Sequence, residues 1–278
     1  MIQELALEYD VDWLCQLFGL ARSTYYYQPT QTADDPELVQ AIESLLADKP
    51  YLGYRMVLAR LKQTGWRVGE RPVRRILRTL GRTRSAGRLV TTESNHSHPR
   101  YPNRIRRREA LYPDHIWVAD LTYLRYGRQY LYLALILDVY TRMVRGWHLE
   151  EFLNCEILTL PALQKALNYR VPTYFHSDQG RQYAAAAHVQ WLKEQDVVIS
   201  MSDAGQPTQN AFMERFIKTV KYEHVYYSEY DTVADMRNQL KGYLEVEYNR
   251  DRPHSALGYM TPNQFEKEYY WLHRFFDY

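Results

Sequence analysis

Cysteine is scarce in this chain of 278 residues: there are two, Cys15 and Cys155, remote from each other in sequence. That excludes a disulfide framework and a Cys-rich zinc site. Long apolar runs are missing too. The longest, residues 130–137, is far too short to cross a bilayer, which takes about 20 apolar residues. The chain does not open on a basic stretch followed by an apolar core; Glu4, Glu8 and Asp10 make its start acidic. No secretory signal is read, and a cytoplasmic protein is expected. Acidic residues nearly vanish between residues 54 and 108, where sixteen basic residues face only Glu70 and Glu93. That window carries +14 and leaves −12 for the rest of a chain whose total is +2. Fifteen of the sixteen are Arg, whose planar fork suits bidentate contact with phosphate or guanine. Charge runs are often only solvated surface, but Arg at this density points to nucleic acid.

Hydrophobic residues make up 46% of the chain, enough to bury one large domain and a smaller one or two. Residues 1–34 read as an N-terminal helical segment and linker. Residues 11–18 are apolar at helical spacing before Gly19, Ser23-Thr24 is a second cap signal, and a polar stretch with two prolines follows. Residues 35–82 hold three helical patterns. Pro36 opens the first, with Leu38, Ile42, Leu45 and Leu46 as its stripe. Met56, Val57 and Leu61 mark the second, which Gly65 ends. Pro72 opens the third, with Val73, Ile76, Leu77 and Leu80 inward and Arg71, Arg74, Arg75 and Arg78 outward. Three short helices with a basic last one resemble a helix-turn-helix DNA reader; the competing reading is a non-specific basic bundle. Residues 83–112 read as a basic linker, in which His96 and His98 lack the partners for a metal site.

From residue 113 the period changes. Strands are expected over 115–124, 129–137 and 143–149, with a turn at Gly127, then a helix over 154–169 and a strand over 173–175. A helix over 184–196 and a strand over 197–200 follow. A three-strand meander continued by helix-strand-helix-strand predicts an α/β, ribonuclease-H-like core with a mixed five-stranded sheet and helices, here spanning residues 113–278 with a C-terminal helical extension. In that order, Asp120 on the first strand and Asp178 after the fourth fall side by side.

Those two acids and Glu214 stand in settings that suit a divalent metal. Asp120 interrupts the apolar run Trp117-Val118-Ala119-Asp120-Leu121-Thr122-Tyr123, Asp178 follows a short apolar stretch, and Glu214 lies early in an amphipathic helix with thirty-five residues between it and Asp178. A lone acid in a strand is more often held by an Arg or a helix N-terminus. Three in this order read as the Asp-Asp-Glu centre of a DNA strand-transfer enzyme, because hard carboxylate oxygens suit magnesium or manganese and two such ions can serve an in-line attack on a phosphodiester. On the Glu214 helix, Asn210, Lys218 and Lys221 share the face of the acid, so they are expected to contact DNA; an ordinary Glu–Lys surface pair is the alternative. Asp138 is expected to pair with Arg142 across a turn. Residues 201–209, small and polar around Gly205 and Pro207, are expected to move until DNA orders them.

Several stretches are similar to the second-frame proteins of bacterial insertion sequences of the IS-three family, relatives of retroviral integrases in the DDE superfamily. They are 117–123; Thr141-Arg142 with Gly146-Trp147; His176-Ser177-Asp178-Gln179-Gly180-Arg181-Gln182-Tyr183; Gln209-Asn210-Ala211 with Glu214; Lys221-Tyr222-Glu223; Tyr248-Asn249; and Arg252-Pro253-His254-Ser255-Ala256-Leu257-Gly258-Tyr259 with Thr261-Pro262. Upstream, Leu52-Gly53-Tyr54-Arg55 and Val73-Arg74-Arg75-Ile76-Leu77 resemble the family's second helix-turn-helix. Many relatives carry Asp where this chain has Gln209. The resemblance implies a transposase acting on terminal inverted repeats and target DNA, with Asp120, Asp178 and Glu214 as catalytic metal ligands for two magnesium or manganese ions. It also implies a first-frame partner protein, often joined by frameshifting, and a homo-oligomer in the synaptic complex. A tyrosine recombinase is excluded, since none of the nine histidines has Arg three places later. A DNA-binding regulator without catalysis would keep the basic helices and need none of the acids.

Overall fold

The computed structural model describes residues 6, 9–26, 35–80 and 99–273. The expectations for 83–98, including His96 and His98, therefore fall outside the described residues. By internal packing the chain divides into residues 1–41 and 42–278. In the first unit α1 (Val11–Leu17) is capped by Asp10, whose carboxylate accepts from the backbone N–H groups of Asp12 and Trp13, and α2 (Arg22–Tyr25) is joined to it by an Arg22–Asp12 ion pair at 2.9 Å. Helix α3 (Pro36–Asp48) runs across the division, with Leu38, Ile42 and Leu46 buried in the predicted stripe.

Helices α4 (Tyr54–Gln63) and α5 (Glu70–Thr79) pack on each other through Val57, Leu61, Val73, Ile76 and Leu77. The second unit then builds a five-stranded sheet of β1 (Ile116–Tyr126), β2 (Gln129–Asp138), β3 (Val144–Glu150), β4 (Tyr174–Ser177) and β5 (Val198–Met201), in the order β3-β2-β1-β4-β5. The first three are antiparallel, while β4 lies parallel to β1 and β5 parallel to β4. This is the ribonuclease-H-like order expected from the sequence.

Both sheet faces are covered, which is why β1 and β2 read as near-continuous apolar runs. On one face Ile116, Val118, Leu133 and Leu135 pack with Met213, Phe216 and Val220 of α8 (Ala211–Glu223), and with Met236 and Leu240 of α9 (Val233–Lys241). On the other, Trp117, Ala119, Ile136 and Phe175 meet Ala162, Leu163 and Ala166 of α6 (Leu160–Leu167) and Val189 and Leu192 of α7 (Ala186–Glu194). Gly146 lets α6 come this close: a Cβ there would stand 2.3 Å from the Ala162 carbonyl oxygen. The helix expected over 154–169 is instead a π-turn, Cys155–Thr159, followed by α6. Pro161 is the reason, since it has no N–H to continue the ladder.

The C-terminal extension is a π-helical stretch, Gly242–Asp251, and α10 (Pro262–His273). The Asn249 side chain bonds Val144 as a strand would, accepting from its N–H at 2.9 Å and donating to its carbonyl at 3.2 Å. Arg145 joins Asp114 (2.7 Å), Asp138 (3.5 Å) and Glu266. The expected Asp138–Arg142 pair is therefore corrected. Arg142 sits at positive φ, and its guanidinium lies over the Phe212 ring at 4.2 Å, while Asp138 takes the Thr141 hydroxyl and Arg145. Burial pushes the Asp138 carboxyl up, and Arg145 pulls it back. Near the other end of the second unit's chain, Lys49 pairs with Glu247 at 2.6 Å.

Candidate active site

The β1–β4 register brings the first two acids together. Val118 is opposite His176, and Asp120 and Asp178 each lie two residues further on. On β1 a step of two keeps Asp120 on the face of Val118, while Asp178 directly follows the end of β4 and its charge reaches Asp120. The Val118 face is the one on which Ile116 and Val118 meet α8. β4 ends at Ser177, so Asp120 stands where the neighbouring strand has given way and solvent reaches the sheet.

Each carboxylate is oriented by a backbone N–H. Leu121 donates to Asp120 Oδ1 at 2.7 Å, and Gly180 donates to Asp178 Oδ1 at 2.9 Å. Gly180 has no room for a side chain, because a Cβ would sit 2.8 Å from that same Asp178 oxygen. Behind the pair lies Tyr183, buried, with a hydroxyl that has no partner among the described residues and that feels both Asp120 and Asp178. His176, between the Ser200 and Ser202 hydroxyls at 2.9 and 3.0 Å, is held by burial near 4 and is a neutral structural group.

Helix α8 carries Glu214 in its first turn, exposed. Burial raises the Asp120 carboxyl to about 8; the charges of Asp178 and then Glu214 add to this, against the Leu121 N–H and Lys221. The three acids thus share one field. Among the described residues, however, no three His, Cys, Asp or Glu side chains close into a cation cage. The donor set still fits a hard divalent ion: carboxylate oxygens only, with mutual repulsion that a dication relieves.

Of the residues read as DNA contacts, Asn210 is placed otherwise. It is 5% exposed, and its Nδ2 donates to the Ala119 carbonyl at 3.0 Å, so it seats the start of α8 on β1 beside Asp120. Lys218 is exposed. Lys221 is half-buried between two groups: its ammonium lies 4.8 Å from the Tyr123 ring centre and within the field of Asp120. Arg71, Arg74, Arg75 and Arg78 all lie on the exposed side of α5. Arg74 is already engaged by Glu70 at 3.1 Å and by the face of Tyr54 at 3.9 Å. Residues 201–209 are cross-braced: Gln209 accepts from the Asp203 N–H and donates to its carboxylate, both at 2.8 Å, and also accepts from Asn103. Sequence reasoning did not find Tyr183 or the roles of Asn210 and Gln209. Their only signal was membership in the motifs around Asp178 and Glu214.

Comparison with known proteins identifies the family. The integrase core domain family matches residues 111–207, and a second integrase core domain family matches residues 195–262. The chain is 32% identical over 269 residues to the insertion element IS600 uncharacterized 31 kDa protein of Shigella sonnei, covering 92% of this chain and 98% of that one. It is 28% identical over 281 residues to the transposase InsF for insertion sequence IS3A of Escherichia coli K12, covering 96% and 97%. Among solved structures, a simian T-cell lymphotropic virus intasome in complex with PP2A regulatory subunit B56 gamma overlays loosely, with a TM-score of 0.49 and 18% identity over 81% of this chain and 74% of that one. No helix among the described residues is long and apolar enough to cross a membrane. The chain belongs to the IS3 family of bacterial insertion-sequence transposases, DDE-type polynucleotidyl transferases with an integrase core.

Proposed function

We propose that this transposase cleaves the ends of its element and joins the freed 3′-hydroxyls to target DNA, with Asp120, Asp178 and Glu214 as its catalytic acids. What carries the reading is the β1–β4 register, which sets Asp120 beside Asp178 on the face covered by the Glu214 helix. Two magnesium or manganese ions, bound by these three residues, would activate the attacking oxygen and stabilise the leaving one. The Leu121 and Gly180 N–H groups each orient one of the two aspartates, and Asn210 keeps the start of α8 against β1. Lys218 and Lys221 hold the DNA backbone beside the acids. Water attack opens one P–O bond at the element end. The 3′-hydroxyl so freed attacks a second phosphodiester, one bond forming as another breaks.

In this reading, α4 and α5 form the helix-turn-helix that engages the terminal inverted repeats through Arg71, Arg75 and Arg78, inside a DNA-binding domain over residues 35–82. Their exposure along one side of α5 supports it. A first-frame protein, supplied separately or by frameshift fusion, shares end recognition, and a homo-oligomer synapses the two ends. The test is amide replacement. Asp120→Asn, Asp178→Asn and Glu214→Gln each abolish cleavage and strand transfer on labelled end DNA while mobility-shift binding persists. Strand transfer at the normal rate by Glu214→Gln would overturn the assignment.

A further inference from the structure

Beside the acids lies a patch of tyrosines that no step above uses. Tyr123, three residues beyond Asp120 on β1 and so directed to the other side of the strand, stands edge-on to Tyr130 with ring centres 5.4 Å apart. On α8 and just after it, Tyr222 stands edge-on to Tyr226 at 5.1 Å. The two pairs are joined through Lys221, whose ammonium lies 4.8 Å from the Tyr123 ring centre and which directly precedes Tyr222 on α8. Lys221 is also within reach of Asp120, so the patch is continuous with the catalytic acids. Tyr226 is 61% and Tyr130 51% exposed, although aromatic rings of this size ordinarily bury most of their area.

Tyr226 presents an exposed ring and Tyr123 and Tyr222 half-exposed ones, and such rings interleaved with lysine have a well-defined ligand chemistry. A nucleobase stacks on an aromatic face whatever its identity, and an adjacent ammonium holds the phosphate of the same nucleotide. A base paired inside a duplex has its faces covered by its neighbours, so only an unpaired one can use such a platform. We propose that Tyr123, Tyr222 and Tyr226 form a stacking platform for an unpaired base at the DNA end, with Lys218 and Lys221 on its phosphates. The platform captures the base when the terminal pairs open and so holds the strand end toward Asp120 and Asp178. This rests on the reading of those acids as the site of strand cleavage.

The test separates the two ideas. In EDTA, where cleavage is not required, fluorescence anisotropy compares a short end duplex bearing an unpaired overhang with the same overhang made abasic. The wild-type chain binds the base-bearing overhang about ten-fold more tightly, as expected for one stacked base. The Tyr222→Ala/Tyr226→Ala variant loses that preference, Tyr226→Trp keeps it, and all three bind fully paired duplex equally. Tyr226 is mostly exposed, so its truncation leaves the core intact. An equal preference in wild type and the double variant overturns the platform. So does a change in self-association in place of base preference, which would make this face a protein interface. Failure of the wild type to cleave ends with magnesium, base preference being retained, counts against the catalytic reading and not against the platform.

Discussion

Burial, with the charges of Asp178 and Glu214 behind it, raises the Asp120 carboxyl to about 8, whereas an unfolded aspartate titrates near about 4. Between those values the folded chain binds the extra proton, so raising the pH through this window costs stability until a cation takes the proton's place. In EDTA, Asp120→Asn is therefore expected to melt above the wild type at pH 8.5 and close to it at pH 4. Magnesium should raise the wild-type melting temperature at pH 8.5 and leave the variant unmoved; differential scanning calorimetry reads both. Magnesium affinity itself should climb with pH up to about 8, because the ion displaces that proton. Gly180 gives a second expectation at this scale. A methyl group there would meet the Asp178 carboxylate first, at 2.8 Å from Oδ1. Gly180→Ala should keep the fold by circular dichroism yet lower metal-dependent cleavage by an order of magnitude or more, since small misplacements of a reacting group are costly. Near-normal cleavage would mean the Asp178 turn adapts.

Helix α8 is fastened at both ends, and the two fastenings should fail differently. At its start, Asn210 holds the Ala119 carbonyl; at its end, Glu223 receives a two-point contact from Arg252, at 2.6 and 2.7 Å, with both side chains largely buried. Replacing Arg252 with Gln strands a buried carboxylate and should cost about 3 kcal/mol or more in urea unfolding. Asn210→Ala removes one neutral hydrogen bond, worth about 1 kcal/mol. Because Asn210 is four residues from Glu214, that variant should lose cleavage rate more than stability, with duplex binding unchanged. A rate loss no larger than its stability loss predicts would reduce Asn210 to an ordinary cap. Through this brace the Lys221-Tyr222-Glu223 and Arg252-Pro253-His254 stretches meet in space.

At the scale of the whole molecule, the arginines of α5 are not equally available to DNA. Arg74 is committed to Glu70 and the Tyr54 ring, whereas Arg71 and Arg78 lie on the exposed side of α5 and form no ion pair among the described residues. Replacing Arg71 or Arg78 with Gln should each lower the log–log salt slope of duplex binding by roughly 0.9, the value for one phosphate contact. Arg74→Gln should change it less. An unchanged slope in the Arg71 and Arg78 variants would move the DNA interface off this helix. Helices α4 and α5 belong to the unit that contains the five-stranded sheet, and in that unit Lys49, between α3 and α4, pairs with Glu247 of the C-terminal extension.

Composition and periodicity determined a good deal alone. The alternation and turn signals from residue 113 onward located all five strands within about three residues, because burial on both faces demands apolar runs of that length. Asp120 and Asp178 stood out as carboxylates in or just after apolar runs, where an acid is expensive without a charged partner, and Glu214 by its place early in an amphipathic helix. The side-chain partners were not legible. Nothing in the one-dimensional pattern distinguishes Arg142 from Arg145 as the companion of Asp138, or tells that Asn210 turns inward to Ala119 while Lys218 faces solvent. Pro161 could have warned that one helix would be two elements. That Gln209 braces residues 201–209 through Asp203 depended on how far each side chain reaches once the strands are paired. Periodicity records which face of an element is buried, since burial repeats along the chain. Pairing between polar groups distant in sequence happens once, at one distance, and only the folded sheet and helices set that distance.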